Sequence, residues 1–134
     1  STALRNLEGF ARYKAGDLPG ALAIFESLAE REPDFVLGWV NRALTLERLG
    51  RSPEADAALA HAFSLAPRHP TALYASGALR CLRGDAEGCA ARVMEAVAAG
   101  YRAWRYIESD PDTAPARALA HYAAFLRSAG ARDD

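Results

Sequence analysis

The sequence predicts an all-α fold built from stacked antiparallel helix pairs, on three observations. Gly16, Gly50 and Gly84 stand 34 residues apart each time. Ala21, Ala55 and Cys89 keep the same step, and so do Phe25, Leu59 and Val93. Pro33 and Pro67 close two of the copies, with Tyr101 in the third closing slot. A fixed period of this length, with small, aromatic and helix-ending residues in register, marks a solenoid that buries a continuous ribbon between neighbouring units.

Composition narrows the function classes. With 51% apolar and 25% charged residues the chain is not disordered, and 134 residues make about one domain. A net charge of −1 offers no basic field for nucleic acid or an anionic membrane. No apolar run approaches the roughly 18 residues of a membrane span. Lys14 is the only lysine, and with abundant alanine this reads as a GC-rich bacterial coding bias. The chain lacks an initiator Met, so it is expected to be an excised domain or one without its native start. The expected compartment is the cytoplasm, with the periplasm left open because a leader would have been lost with that start. Cys81 and Cys89 are the only cysteines. Cys89 occupies the slot of Ala21 and Ala55, so buried free thiols acting as small hydrophobes are expected.

The first helix should span 2–15, with Leu4, Leu7, Phe10, Ala11 and Ala15 on one face and Gly16 as a left-handed cap. Asp17 then caps a second helix with Pro19 in its first turn, and Ala21, Leu22, Ile24, Phe25 and Leu28 form its apolar stripe. Asp34 is expected to cap a third helix over 35–49, and Ser52-Pro53 to cap a fourth that ends near Leu65. His69-Pro70 opens a fifth that ends at Gly84. Asp85 caps a sixth, where Gly88 costs about 1 kcal/mol relative to Ala. Beyond Tyr101 the period is lost. A short helix over 102–109, a turn-rich break over 110–115 and a last helix over 115–128, stopped by Gly130, should cover the end of the array.

These features resemble the tetratricopeptide repeat family, whose pattern is roughly W-x2-L-G-x2-Y, then G, A-x3-F and P. Trp39 matches the tryptophan slot, which Arg5 and Leu73 occupy in the other copies. Gly9, Ala43 and Gly77 match the small residue at the helix–helix approach, and Ala21 with Phe25 matches A-x3-F. Arg12, Leu46 and Arg80 stand where the family has tyrosine, a departure in repeat quality. The resemblance covers 2–103 as three repeats (2–35, 36–69 and 70–103), with 104–134 as a C-terminal cap. It implies a right-handed superhelix and a non-catalytic protein-interaction module. Such a module holds a peptide or helix in a concave groove lined by the first helix of each pair.

Carried onto this chain, that groove takes Ala3, Asn6, Phe10, Tyr13 and Lys14 from the first repeat. The second gives Leu37, Val40, Asn41, Leu44, Glu47 and Arg48, and the third Thr71, Tyr74, Ala78 and Cys81. Tyr13, Tyr74 and Arg48 are the expected anchors, since Tyr and Arg dominate protein interfaces. The alternative is that Phe10, Leu44 and Tyr74 simply pack against neighbouring helices or the C-terminal helix. A clamp for terminal carboxylates, as in co-chaperones of the heat-shock system, is rejected: only Asn41 matches, and Asn6, Phe10, Thr71 and Ala75 fill the other slots. Nor is there an asparagine ladder like that of the O-linked GlcNAc transferases, because Leu7 and Ala75 flank Asn41 in the matching slots.

Arg102, Trp104, Arg105 and Tyr106 form a second candidate surface for an acidic or aromatic segment, against the alternative that Trp104 fills a seam. His61, His69 and His121 are scattered, without carboxylate partners at ligand spacing. Glu108, Asp110 and Asp112 lack the glycine and distal glutamate of a calcium loop and read as a turn and cap. With no phosphate loop and no nucleophile–base pair, no enzyme activity, metal or cofactor is expected. The partner is expected to be a protein or peptide, with self-association or service as an accessory domain of a larger enzyme or biogenesis factor as alternatives.

Overall fold

The structure, a computed structural model, describes residues 1–133 and the side chains of 1–131. Among the described residues all regular structure is helical: α1 (Thr2–Ala15), α2 (Leu18–Arg31), α3 (Val36–Arg48), α4 (Ser52–Leu65), α5 (Pro70–Leu82), α6 (Ala86–Ala98), α7 (Trp104–Ser109), a 3-10 turn (Pro111–Thr113), α8 (Ala114–Arg117) and α9 (Ala120–Asp133). The first six helices form an α-solenoid of antiparallel pairs, α1–α2, α3–α4 and α5–α6.

Each pair turns on a glycine with positive φ: Gly16 at 87°, Gly50 at 78° and Gly84 at 86°. Only glycine takes this conformation without a Cβ penalty. The aspartate that follows Gly16 caps α2: the Asp17 carboxylate accepts from the Gly20 N–H at 3.0 Å. Asp85 does the same for α6, accepting from Gly88 at 2.8 Å. A Cβ at Gly88 would press on that carboxylate, the far end of a flexible side chain, and make it shift.

Two other caps differ from expectation. Phe35, not Asp34, is the residue before α3, and no side chain caps this helix. The link from α2 is held instead by Phe35 N–H on the Glu32 carbonyl at 3.0 Å and by Trp39 Nε1 donating to the Pro33 carbonyl at 2.8 Å. Ser52 is already helical, with Arg51 in the cap position; its hydroxyl donates to Glu47 at 2.9 Å. The first helix also sits differently. It buries Gly9 and Tyr13, whereas Leu4 and Leu7 are 67% and 62% exposed, so the predicted leucine stripe faces outward.

The core is continuous through α5. Its Ala72, Ala75, Ala78 and Leu79 join the cluster of α1–α4, while its Leu73, Tyr74 and Cys81 join a second cluster with α6–α9. Where α5 meets α6, a Cβ on Gly77 would stand 3.0 Å from the Cys89 carbonyl, which explains the small residue. Cys81 and Cys89 are joined in a disulfide across this contact, with Cα atoms 5.2 Å apart. This corrects the expectation of free thiols. The two slots belong to different helices, and only the packing of α5 on α6 shows that they meet.

The C-terminal helix is also shorter than expected at its start. Residues 110–117 break into a 3-10 turn and one α-turn, and α9 runs through Gly130 instead of stopping there. Tyr122 and Leu126 of α9 are buried against the second cluster. None of the helices is long and apolar enough to cross a membrane, among the described residues.

Candidate functional site

A cavity of about 250 Å³ opens where α1, α3 and α5 face the chain that follows α6. Phe10 comes from α1, Asn41 and Leu44 from α3, and Thr71, Tyr74, Ala75 and Ala78 from α5. Tyr101, Ala103, Tyr106, Asp110 and Asp112 close the opposite side. Helical spacing accounts for the first set: residues three and four apart share a face, and the 34-residue period repeats that face.

The Asp110-Pro111-Asp112 turn ties the far ends of this surface together. The Tyr13 hydroxyl on α1 donates to the Asp112 carboxylate. The Tyr74 hydroxyl on α5 donates to Asp110 Oδ2 at 2.7 Å and lies 3.1 Å from Thr113 Oγ1. Asp110 Oδ1 accepts from the Asp112 N–H at 3.0 Å. Arg117 Nη1 donates to the Ile107 and Asp110 carbonyls, both at 2.9 Å, and pins the turn from behind. Asp110 is deeply buried, its side chain 1% exposed, and Lys14 Nζ stands 3.5 Å from its Oδ1.

Aromatic rings make the walls. Tyr74 stacks on Tyr101 at 4.7 Å between centroids and meets Tyr106 edge-on at 5.8 Å. Phe10 lies 5.9 Å from Tyr13 and 6.0 Å from Tyr106. Lys14 Nζ sits 5.0 Å from the centre of the Tyr106 ring. Burial, reinforced by Asp112, pushes the Tyr13 hydroxyl well above its ordinary range. Burial and then Asp110 do the same for Tyr74, Tyr101 and Tyr106. All four stay neutral, so Tyr13 and Tyr74 keep donating to the carboxylates.

Of the residues carried over for the groove, Phe10, Asn41, Leu44, Thr71 and Tyr74 line this cavity. Asn6 accepts from Asn41 Nδ2 at 2.9 Å, and Lys14 reaches the rim over Tyr106. Three expectations are corrected. Tyr13 and Tyr74 are 1% and 3% exposed, because the 110–113 turn occupies their hydroxyls, so neither is a free anchor. Val40 is fully buried in the core of the first two pairs. Glu47 points between pairs, where it accepts from Arg83 Nη2 at 2.6 Å and from Ser52. Arg48 spans Tyr13, its guanidinium 4.7 Å over the ring and its Nη1 3.1 Å from the carbonyl. Leu37 is half-buried and outside the cavity wall.

The second candidate surface is divided. Tyr106 turns into the cavity. Trp104 packs on the second core cluster, with the Arg102 guanidinium 5.9 Å from its ring centre, and Arg105 stays exposed beside it. Asp110 and Asp112 are the site residues that sequence reasoning missed. Their turn-and-cap role is real, since Asp110 caps the 3-10 turn, but the pattern carries no sign that both carboxylates reach tyrosines about 36 and 99 residues away. Among the described residues no group of three or more His, Cys, Asp or Glu is placed to hold a metal ion.

No protein-family model matches the sequence, and no curated protein matches it by sequence. A solved structure does share the fold: PcrH in complex with the chaperone binding region of PopD. The likeness has a TM-score of 0.58 at 20% identity and covers 98% of this chain and 92% of that one. At that coverage the likeness takes in the segment after Tyr101 as well as the three helix pairs.

Proposed function

We propose that this chain is a three-repeat tetratricopeptide-type module with a C-terminal cap, which binds a segment of a partner protein in the aromatic cavity and has no catalysis of its own. One observation carries this reading: an apolar, ring-lined cavity of about 250 Å³ on the face of α1, α3 and α5. It is smaller than the pockets of roughly 300–1,000 Å³ that engulf small molecules and is sized for side chains of a docked segment. The PcrH complex supports it by analogy, as a protein of the same fold seen with a region of another chain. The Cys81–Cys89 disulfide favours an oxidising compartment such as the periplasm over the cytoplasm.

The test is a displayed random-peptide selection on the intact chain. Thr71 is half-buried at the cavity wall, so Thr71→Trp fills the cavity without entering the core. Selected peptides should bind the variant at least roughly tenfold more weakly, a loss of about 1.4 kcal/mol, with an unchanged melting temperature. Peptides held equally by both proteins, or displaced only by Arg105→Glu, would end this reading.

Exposed Leu4 and Leu7 on α1 favour a second reading, self-association that covers them. Light scattering should then show a mass that rises with concentration and falls back to monomer in Leu4→Glu/Leu7→Glu. A constant monomer mass at high concentration removes it.

A further inference from the structure

Resting on the groove reading above, we infer that the cavity receives one basic side chain of the partner segment, a lysine, with its ammonium between the Tyr106 ring and the carboxylate of Asp112. The walls alone would suit any apolar residue. The two carboxylates decide the matter.

Asp110 and Asp112 both stand at the cavity. Asp110 has a cation, Lys14, at 3.5 Å. Asp112 accepts from the Tyr13 hydroxyl, and among the described residues no lysine, arginine or histidine lies within ion-pair distance of it. Arg48, the other cation on this face, is turned to the Tyr13 carbonyl and ring. An ionised carboxylate has about four acceptor sites, and one hydroxyl leaves most of them open. Asp112 therefore presents a carboxylate with open acceptor sites and, among the described residues, no cation in direct contact, beside the faces of electron-rich rings.

That combination selects a cation with an apolar stem. The ring faces attract an ammonium through their quadrupoles, more strongly as water is excluded, and the stem fills the apolar space. The chain supplies its own illustration. Lys14 Nζ lies 5.0 Å from the Tyr106 ring centre, 3.5 Å from the Tyr106 hydroxyl and 3.5 Å from Asp110. Its side chain is 35% exposed, so it guards the rim and leaves the interior free. An acidic side chain would face both aspartates and is rejected by like charge.

The experiment titrates isotope-labelled protein with N-acetyl-lysinamide and, separately, N-acetyl-norleucinamide, which keeps the stem and lacks the ammonium, following backbone amides by NMR. The lysine compound should shift Tyr106, Asp110 and Asp112 and bind roughly five- to tenfold tighter than the norleucine compound. Asp112→Asn keeps an acceptor for the Tyr13 hydroxyl and should abolish that preference. Lys14→Met removes the resident cation and should strengthen lysine binding, which keeps the test decisive even if Asp112→Asn fails to fold. Equal binding of the two compounds at the cavity overturns the inference and leaves the groove reading standing, as an apolar subsite. Shifts confined to other surfaces, or no saturable shift with either compound, overturn both.

Discussion

Tyr74 does more than fill space with its ring. Its hydroxyl is the link between α5 and a carboxylate whose side chain is 1% exposed. Removing a hydrogen-bond donor from a buried charged acceptor costs more than the bond itself contributes, because the acceptor stays desolvated. Tyr74→Phe should therefore lower stability by about 1–3 kcal/mol in urea unfolding. Tyr13→Phe should cost less, since Asp112 is half-buried and water can replace the lost hydroxyl. Equal, negligible losses would mean that the turn is held by Arg117 alone. At this scale the sequence was a partial guide. Phe10, Asn41, Leu44 and Thr71, carried over from the repeat resemblance, share one cavity because helical spacing and the period, which are local properties, put them on one face. That Tyr74 is covered depends on where residues 110–113 land, which is not local.

The α5–α6 hairpin shows the same division at the scale of elements. The Gly84 cap, the Asp85 carboxylate on the Gly88 N–H and the small Gly77 at the contact all act within a few residues or one helix pair. The caps were legible for that reason. The disulfide was not, because the repeat register placed Cys89 in an alanine slot and said nothing of Cys81 across the hairpin. Its closed loop spans a sequence separation of 8. Chain-entropy arguments give such a short loop about 2–3 kcal/mol of stabilisation. Thermal melts with and without reductant should separate by that amount, and Cys81→Ala/Cys89→Ala should match the reduced protein. Melts that coincide would show that the bond constrains little beyond what α5–α6 packing already enforces.

For the molecule as a whole, the five tyrosines act together. Burial raises every one of them above the ordinary value of 10.0, with Tyr122 pushed up to about 12 and Tyr13, Tyr74, Tyr101 and Tyr106 higher still. A hydroxyl that is harder to ionise when folded contributes stability that is fully present below about pH 10 and is lost as pH rises toward the folded-state value. Each of the fully buried Tyr13, Tyr74 and Tyr122 should remove up to about 1.4 kcal/mol per pH unit above that point. Helix circular dichroism and tyrosinate absorbance should therefore change together on alkaline titration. Tyrosinate forming near pH 10 with helix content intact would contradict this. The helical period, the pairing and the glycine turns were determined by the sequence alone, because each depends on spacing within a helix or between successive copies. The tertiary structure decided the outward turn of Leu4 and Leu7, the disulfide, and the aspartate turn that closes the cavity. Those depend on which surfaces meet after the non-periodic C-terminal segment folds back across α5 to α1, and a repeat pattern that ends at Tyr101 carries no information about that return.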